Sequence, residues 1–340
     1  MKPTFLLELP NRPTGDPAVL VRPRHRGFAI LAEAGDLGAV PPRALLAVSV
    51  ALVSHFHVDH AFGLARLLRG RLGHPERPLT IVGPAGSAAR VAAHLSGYLW
   101  NLLPAWPLDL AVVEVHPDRV ETWRFPRERG FDPRLAESAS WSPGASLPLE
   151  PGPGITIRAL PLDHAGTVSL AWRIEEEEGL HVDPAALDRA GLAPGSWLGE
   201  LKDAVRRGAP PATPIPLPGG GTAPLAELEE RFLFRSPGDT VAVAADVGPG
   251  EANLAALAAF VRGVRTLVCE AYYRQADRVL GIEHGHLSAG DAGRVAREGG
   301  VGRLVPFHLS PRYEGDEDAL LAELASAADP VPLDLPGGTP

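Results

Sequence analysis

A seven-residue stretch, SHFHVDH at positions 54–60, contains three histidines and one aspartate. Histidine nitrogens and carboxylate oxygens are common ligands of zinc and similar divalent metals. His55 and His57 are two residues apart, so their side chains point the same way in an extended segment. Asp59 and His60 open the helix predicted to follow and face a second position. The motif predicts halves of two neighbouring metal sites, whereas a chance surface cluster is the alternative.

The stretch directly follows an apolar run at 46–53, which is typical of a buried strand. Ligands at the carboxyl end of such a strand are held rigidly and face a crevice. Three isolated residues, His164, Asp246 and His308, also follow predicted strands. Each alone would suit a structural role, but together they supply the ligands that the first motif lacks.

Apolar runs alternate with helical patterns along most of the chain, which favours an α/β sandwich. Strands are predicted at 46–53, 79–82, 111–115, 155–160, 169–174, 240–245, 266–269 and 304–307. Helices are predicted at 58–69, 85–95, 251–262, 288–298 and 317–327. Ser288 and Asp291 are spaced for a capping box at the start of the fourth helix.

We predict a single domain over residues 1–328 and a loosely held tail at 329–340. The segment 175–236 is predicted to be a long protruding insertion, because it combines an acidic run with a Pro/Gly-rich stretch and shows only a short helical pattern around 198–206. The segment 98–153 is read as loop-rich.

Composition limits the class of protein. The formal charge of −9 argues against broad, non-specific binding to nucleic acid, although it leaves room for a local basic patch. A single cysteine, Cys269, excludes an internal disulfide and a multi-thiolate metal site within one chain. No apolar run is long enough to span a membrane, and the N-terminus lacks the pattern of a signal peptide. We expect a cytoplasmic protein without a membrane partner.

The ligand set resembles that of the metallo-β-lactamase superfamily. The resemblance implies an αββα sandwich with two divalent metal ions between the sheets. It implies one metal on His55, His57 and His164, the other on Asp59, His60 and His308, and Asp246 as the bridge. Zinc suits these ligands, and manganese or iron remains open.

Charge counting favours an anionic substrate. Two divalent ions carry four positive charges, and Asp59, Asp246 and a bridging hydroxide carry three negative ones. The remaining positive charge suits a phosphodiester, which a metal-activated hydroxide can attack. The bridging position is Asp246 rather than a cysteine, which disfavours a true β-lactamase.

The C-terminal third is similar to ribonuclease Z, the tRNA 3′-processing endonuclease. The matching motifs there are Glu270-Ala271, the His286-Leu287-Ser288 element and the HLSPRY run at 308–313. Two earlier segments also match, PLDHAG at 161–166 and GLAPGSWLGELK at 191–202. The resemblance covers about residues 27–315.

The resemblance implies further roles. His286 would be the general acid that protonates the departing ribose 3′-oxygen, and Glu270 would orient it. Asp59 would also accept a proton from the attacking water. As alternatives, His286 is a helix-capping residue and Glu270 a structural carboxylate at a strand end.

The insertion would then be an arm that grips precursor tRNA, or else a solvated linker or dimer-contact loop. The candidate substrate contacts are Arg189, Lys202, Arg206, Arg207 and Arg312.

We therefore predict a dinuclear metal-dependent phosphodiesterase that cleaves precursor tRNA after the discriminator nucleotide and leaves a 3′-hydroxyl. A hydrolase of small or cyclic phosphodiesters is the first alternative, and a non-catalytic metal-binding protein is the second. The family resemblance also suggests a homodimer.

Overall fold

The structure is a computed structural model that describes residues 4–74, 76–101 and 108–334. The strands are β1 Phe5–Glu8, β2 Val19–Pro23, β3 Ala29–Ala32, β4 Val48–Leu52, β5 Leu79–Pro84, β6 Leu110–Val115, β7 Arg119–Arg124, β8 Arg134–Ser140, β9 Ile155–His164, β10 Thr167–Glu176, β11 Gly179–Val182, β12 Pro214–Pro216, β13 Thr222–Pro224, β14 Leu233–Ser236, β15 Thr240–Ala244, β16 Thr266–Glu270 and β17 Leu304–Phe307. The helices are α1 Pro42–Ala47, α2 Val58–Ala61, α3 Leu64–Arg71, α4 Ser87–Ser96, α5 Pro184–Ala190, α6 Trp197–Arg206, α7 Leu225–Phe232, α8 Glu251–Phe260, α9 Arg278–His284, α10 Ala289–Gly299 and α11 Glu317–Ala328.

The chain divides into two compact units, one formed by residues 1–175 with 239–340 and the other by residues 176–238. The larger unit contains an eight-stranded sheet, ordered β1 to β8, and a five-stranded sheet, ordered β17-β16-β15-β10-β9. The central pairs β3–β4, β4–β5, β5–β6, β15–β16 and β16–β17 are parallel. The carboxyl ends of these strands therefore share an edge within each sheet.

The two sheets of the larger unit pack face to face. Alternate residues of β4 face opposite sides, so Val50 and Leu52 enter the core between the sheets while Ala51 and Val53 face the helices. Trp172 of β10 is fully buried in the same inter-sheet core. Helices α1, α3 and α4 cover one outer face, and α8, α10 and α11 cover the other. This arrangement confirms the predicted αββα sandwich.

The smaller unit has a core of its own. It contains two two-stranded sheets, β11 with β14 and β12 with β13, together with α5, α6 and α7. Trp197, Leu201 and Phe232 are buried in its centre. The segment is more ordered than its Pro/Gly-rich sequence indicated, because apolar residues at helical spacing in α6 and α7 pack against each other. The single-domain description of residues 1–328 stays a prediction.

Several element predictions were wrong in detail. Residues 46 and 47 belong to α1 and not to the following strand. The predicted helix 58–69 is two helices, α2 and α3, with Gly63 between them. The segment 98–153 was read as loop-rich apart from the strand predicted at 111–115, which is β6, yet it also contains β7 and β8. Its residues 102–107 lie outside the described part. β8 is exposed along almost its whole length, so it lacks an apolar alternation.

The capping box predicted at the start of α10 is confirmed, since the Ser288 hydroxyl accepts from the Asp291 amide and the Asp291 carboxylate accepts from Ser288. The C-terminal residues 335–340 of the predicted tail lie outside the described part. Before them, the amide of Leu304 donates to the carbonyl of Pro332, and the amide of Asp334 donates to the carbonyl of Leu304. Within the described part of the chain, no helix combines the length and the apolar character that crossing a membrane requires.

Gly63 allows the helix that carries Asp59 and His60 to approach the turn after β3. A Cβ atom at Gly63 would lie 2.2 Å from the carbonyl oxygen of Gly35. We expect Gly63→Ala to lower the free energy of unfolding by about 1–3 kcal/mol, as overpacking commonly does. Urea denaturation checks this.

The matched control is Gly70→Ala in α3, where the added atom would meet Leu45 at an ordinary 3.6 Å. That change should be neutral or stabilise by about 0.5–1 kcal/mol through helix propensity. Equal effects at the two glycines would contradict the close-approach argument.

Candidate metal centre

His55, His164, Asp246 and His308 lie at or just after the carboxyl ends of strands, whereas Asp59 and His60 lie in α2. His55 follows β4, His308 follows β17, and Asp246 lies just beyond β15. Their donor atoms form groups in which all lie within 4.8 Å of one another. The first group contains His55, His57, His164 and Asp246, and the second contains Asp59, His60 and His308.

Asp246 lies between the two groups. Its Oδ2 is 3.4 Å from Nε2 of His55 and 3.3 Å from Nε2 of His164. Its Oδ1 is 3.3 Å from Nε2 of His60 and 2.8 Å from Nδ1 of His308. Each carboxylate oxygen therefore faces a different set of histidines, which is the geometry that a bridging ligand needs.

All but one of these separations suit a bound metal better than a direct hydrogen bond; the exception is the 2.8 Å between Nδ1 of His308 and Oδ1 of Asp246. Two donors bonded to a tetrahedral ion at about 2.0–2.2 Å lie about 3.3–3.6 Å apart. Asp59 Oδ2 is 3.5 Å from Nε2 of His60 and 3.5 Å from Nε2 of His308, in the same range as the separations around Asp246 Oδ2.

Several of these atoms are enclosed and lack a hydrogen bond within the described residues. They are Nε2 of His55, Nε2 of His60, Oδ1 of Asp246 and Nδ1 of His308. Leaving a buried polar atom unsatisfied costs about 1–3 kcal/mol, so such a concentration needs an explanation. The residues fit divalent metal ions, which would satisfy these atoms.

The electrostatics of the protein alone also favour a cation here. Burial works against ionisation of Asp246, but the neighbouring His308 and His60 hold its pKa well below the ordinary value. Burial likewise opposes protonation of His308, yet the Asp246 carboxylate raises its pKa to about 9. At His55, burial and the nearby His60 lower the pKa to about 2. The centre thus attracts positive charge. His55 is neutral, as a metal ligand must be, whereas His308 carries a proton that a binding metal ion would displace.

Glu33 orients His60 from behind. It is fully buried, and its Oε2 lies 2.9 Å from Nδ1 of His60. The Ser54 hydroxyl donates to the same oxygen at 3.0 Å. A carboxylate only accepts, so Nδ1 of His60 carries the hydrogen and Nε2 is left to bind a metal. The sequence analysis missed Glu33, and its position directly after a strand was the available signal.

His164 is fixed in the same way by a backbone group. Its Nδ1 donates to the carbonyl oxygen of Gly285 at 2.8 Å, which leaves Nε2 facing Asp246. A Cβ atom at Gly285 would lie 2.8 Å from the His164 ring, so this close approach requires glycine.

Left-handed backbone projects key side chains into the centre. Glu33, Asp246 and His308 have φ angles of 62°, 53° and 50°. Non-glycine residues rarely adopt this conformation, which costs about 1–3 kcal/mol and is concentrated at functional sites. The strain is therefore concentrated where the ligands are presented.

His286 and Glu270 form a pair beside Asp246. Nδ1 of His286 lies 2.8 Å from Oε2 of Glu270. Oε1 of Glu270 accepts from the amides of Val247 at 2.6 Å and Leu287 at 3.2 Å. Burial lowers the pKa of His286, but the Glu270 charge and hydrogen bond outweigh it and raise the pKa above the ordinary value. His286 can therefore hold a proton.

Tyr272 was missed by the sequence analysis. Its ring stacks on the His286 imidazole with a centroid separation of 4.0 Å and an interplanar angle of 12°. Together with Glu270 it fixes both the plane and the rotation of His286.

The predicted substrate contacts belong to both units of the chain. Lys202 and Arg206 belong to α6 and Arg207 follows it, while Arg189 lies in α5, all in the unit 176–238. Arg312 lies in a 3₁₀ turn of the larger unit, 3.8 Å from Asp277 and above the ring of Tyr273. None of these roles is tested by the geometry, and they stay predictions.

No family model matched the chain. The chain is 33% identical to ribonuclease Z of Deinococcus radiodurans over 87% of its own length and 86% of that protein. It is 28% identical to ribonuclease Z of Shouchella clausii, over 84% of its own length and 76% of that protein.

Among solved structures, the metallo-beta-lactamase fold protein YhfI from Bacillus subtilis superposes with a TM-score of 0.54 at 16% identity. The match covers 98% of this chain and 94% of that one. At this identity the likeness concerns the fold alone, and it confirms the predicted metallo-β-lactamase fold. The fold and the histidine–aspartate groups together indicate a centre for divalent metal ions.

Removing the charge that orients His60 should weaken metal binding. We expect Glu33→Gln to lower the affinity for one metal ion by about 10–100-fold, because Nδ1 of His60 loses its anionic acceptor. Competition with a chromophoric chelator measures this. Glu137→Gln on the exposed strand β8 is the matched control, and equal affinities in all three proteins would contradict the orienting role of Glu33.

Proposed function

The protein belongs to the ribonuclease Z family, and on that premise we propose that it is a metal-dependent endoribonuclease that processes the 3′ end of precursor tRNA. The observation that carries the proposal is the shared Asp246 between two histidine groups, with the His286–Glu270 pair beside it. The predicted homodimer and the cytoplasmic location stay predictions.

We propose that His55, His57 and His164 hold one Zn²⁺ ion, that Asp59, His60 and His308 hold another, and that Asp246 contacts both. The fit is supported by the enclosed, unsatisfied donor atoms. When bound, two such ions supply Lewis-acid stabilisation of the phosphodiester and lower the pKa of water.

Asp59 is proposed to accept a proton from the attacking water. Its side chain is 37% exposed, whereas that of Asp246 is only 3% exposed. Burial opposes its ionisation, but the neighbouring His308 and His60 lower its pKa to about 2. Asp59 is therefore ionised and open to solvent at neutral pH.

His286 is proposed to donate a proton to the leaving 3′-oxygen. Because Nδ1 is held by Glu270, Nε2 is the nitrogen that can donate to the substrate. An alkoxide is a poor leaving group, so protonation by a positioned imidazole contributes typically about 10²–10⁴-fold. Glu270 and Tyr272 fix the position of the ring.

The unit 176–238 is proposed to contact tRNA through Arg189, Lys202, Arg206 and Arg207. Arg207 is exposed, and so is Arg206, which lies 3.1 Å from Asp203. Phosphate contacts of this kind position a nucleic acid without reading its sequence.

The role of His286 predicts a substrate-dependent defect. His286→Ala should retain the wild-type metal content and lose about 10²–10⁴-fold in turnover of precursor tRNA. Turnover of bis(p-nitrophenyl) phosphate should change far less, because p-nitrophenolate leaves without protonation.

His284→Ala is the matched control for His286→Ala, since His284 bonds to the Tyr273 hydroxyl and lies outside the metal groups. Equal losses on the two substrates would show that His286 acts on the metals or on the attack rather than on the leaving group.

Reversing the charge of basic residues in the unit 176–238 should weaken binding of precursor tRNA and leave the aryl ester unaffected. Lys202→Glu with Arg206→Glu and Arg207→Glu should raise KM for precursor tRNA and reduce its salt dependence, while leaving hydrolysis of the aryl ester unchanged. Arg134→Glu on β8 is the control.

An unchanged KM of the triple variant for precursor tRNA would show that these residues do not contribute to tRNA binding. If the wild type hydrolysed only the aryl ester, the alternative hydrolase of small phosphodiesters would replace the proposal.

A further inference from the structure

Two glutamates face each other on the hairpin β6–β7. Glu114 and Glu121 are register partners in the antiparallel pair. Their side chains are only 6% and 14% exposed. Like charges directly opposite each other destabilise a sheet, and burial increases the repulsion. The pair therefore needs a positive partner.

His116, in the turn between these strands, lies against both carboxylates. Its Nε2 is 3.3 Å from Oε2 of Glu114 and 3.3 Å from Oε2 of Glu121. This nitrogen is enclosed and has no hydrogen bond within the described ranges of the chain. A charge-assisted N–H···O bond is about 2.7–2.9 Å long, so His116 lies within ion-pair distance of both carboxylates without forming a well-aligned hydrogen bond to either.

The opposite oxygen of each carboxylate is already held. Oε1 of Glu114 accepts from the amide of Ala88 at 2.7 Å, and Oε1 of Glu121 contacts Nε of Arg119 at 2.8 Å. Both Oε2 atoms are thereby turned towards His116. Arg119 is also shared with Asp118 at 3.2 Å, so one guanidinium serves two carboxylates while Glu114 has no ion pair with an arginine or lysine among the described residues.

The same spacing occurs at the metal centre, where His164 and Asp246 place their donor atoms 3.3 Å apart. The three donor atoms of Glu114, His116 and Glu121 lie within 4.8 Å of one another. We propose that these residues form a third divalent-cation site. Two carboxylates and an imidazole suit Zn²⁺ or Mn²⁺ and leave room for water to complete the coordination.

The position of this site gives it a role beyond charge neutralisation. His116 lines a cavity of about 520 Å³ together with His55 and His57. Glu114 also holds the first turn of α4 through Ala88. A cation would therefore fix the hairpin that forms one wall of the cavity onto which two predicted ligands of the main centre open. The site does not depend on the proposed reaction.

Metal content tests the inference. Protein saturated with Zn²⁺ or with Mn²⁺ and passed through gel filtration should contain three equivalents per chain by mass spectrometry of the metal. His116→Gln and Glu121→Gln should each contain two, and the two main-centre equivalents should remain. Circular dichroism verifies folding, and either variant alone suffices if the other is unfolded.

His74→Gln is the matched control. His74 and Glu76 also lie 3.3 Å apart, but their side chains are 43% and 62% exposed, so this variant should keep three equivalents. A wild-type content of two, or three equivalents in the folded His116 and Glu121 variants, would overturn the third site. Neither outcome bears on the cleavage assays, so its failure and that of the proposed reaction can be told apart.

Discussion

A single buried carboxylate, Asp246, determines the organisation of the centre. Its two oxygens face different histidine sets, and its side chain is only 3% exposed. A buried negative charge is costly unless it is paired. The surrounding imidazoles can offset that cost only by carrying protons or by sharing metal ions with the carboxylate. Every strand end that reaches the centre must therefore present its ligand at a fixed distance from this one residue.

The sandwich meets that requirement with rigid strands and strained turns. The parallel strands β15, β16 and β17 are buried except at Thr240 and end beside one another, which places Asp246, Glu270 and His308 at neighbouring positions. The left-handed backbone at Asp246 and His308 then turns the chain sharply. The stability to hold such conformations comes from the apolar layers on both faces of each sheet.

Much of this could be predicted from sequence, and the omissions have physical reasons. Long apolar runs located the central strands, and isolated polar residues after those runs located the donors that the structure brings together. Sequence analysis did not predict β1, β2, β3, β7 and β8, because short or exposed strands lack a long continuous apolar run. Glu33 and Tyr272 were not predicted because each acts through a contact with a residue distant in sequence. Glu33 contacts His60, and Tyr272 contacts His286. The core of the unit 176–238 was obscured by the prolines and glycines between its helices.

The connection between β10 and β15 has one more consequence. Glu175 and Thr240 are register partners in this antiparallel pair, so the chain leaves the sheet and re-enters it at adjacent positions. The intervening residues have their own apolar core. From the standpoint of the sheet they are an elongated hairpin loop, and loop length costs little because closure entropy grows only logarithmically. Such a junction lets the residues between the two strands change in length or sequence without altering the register of the sheet.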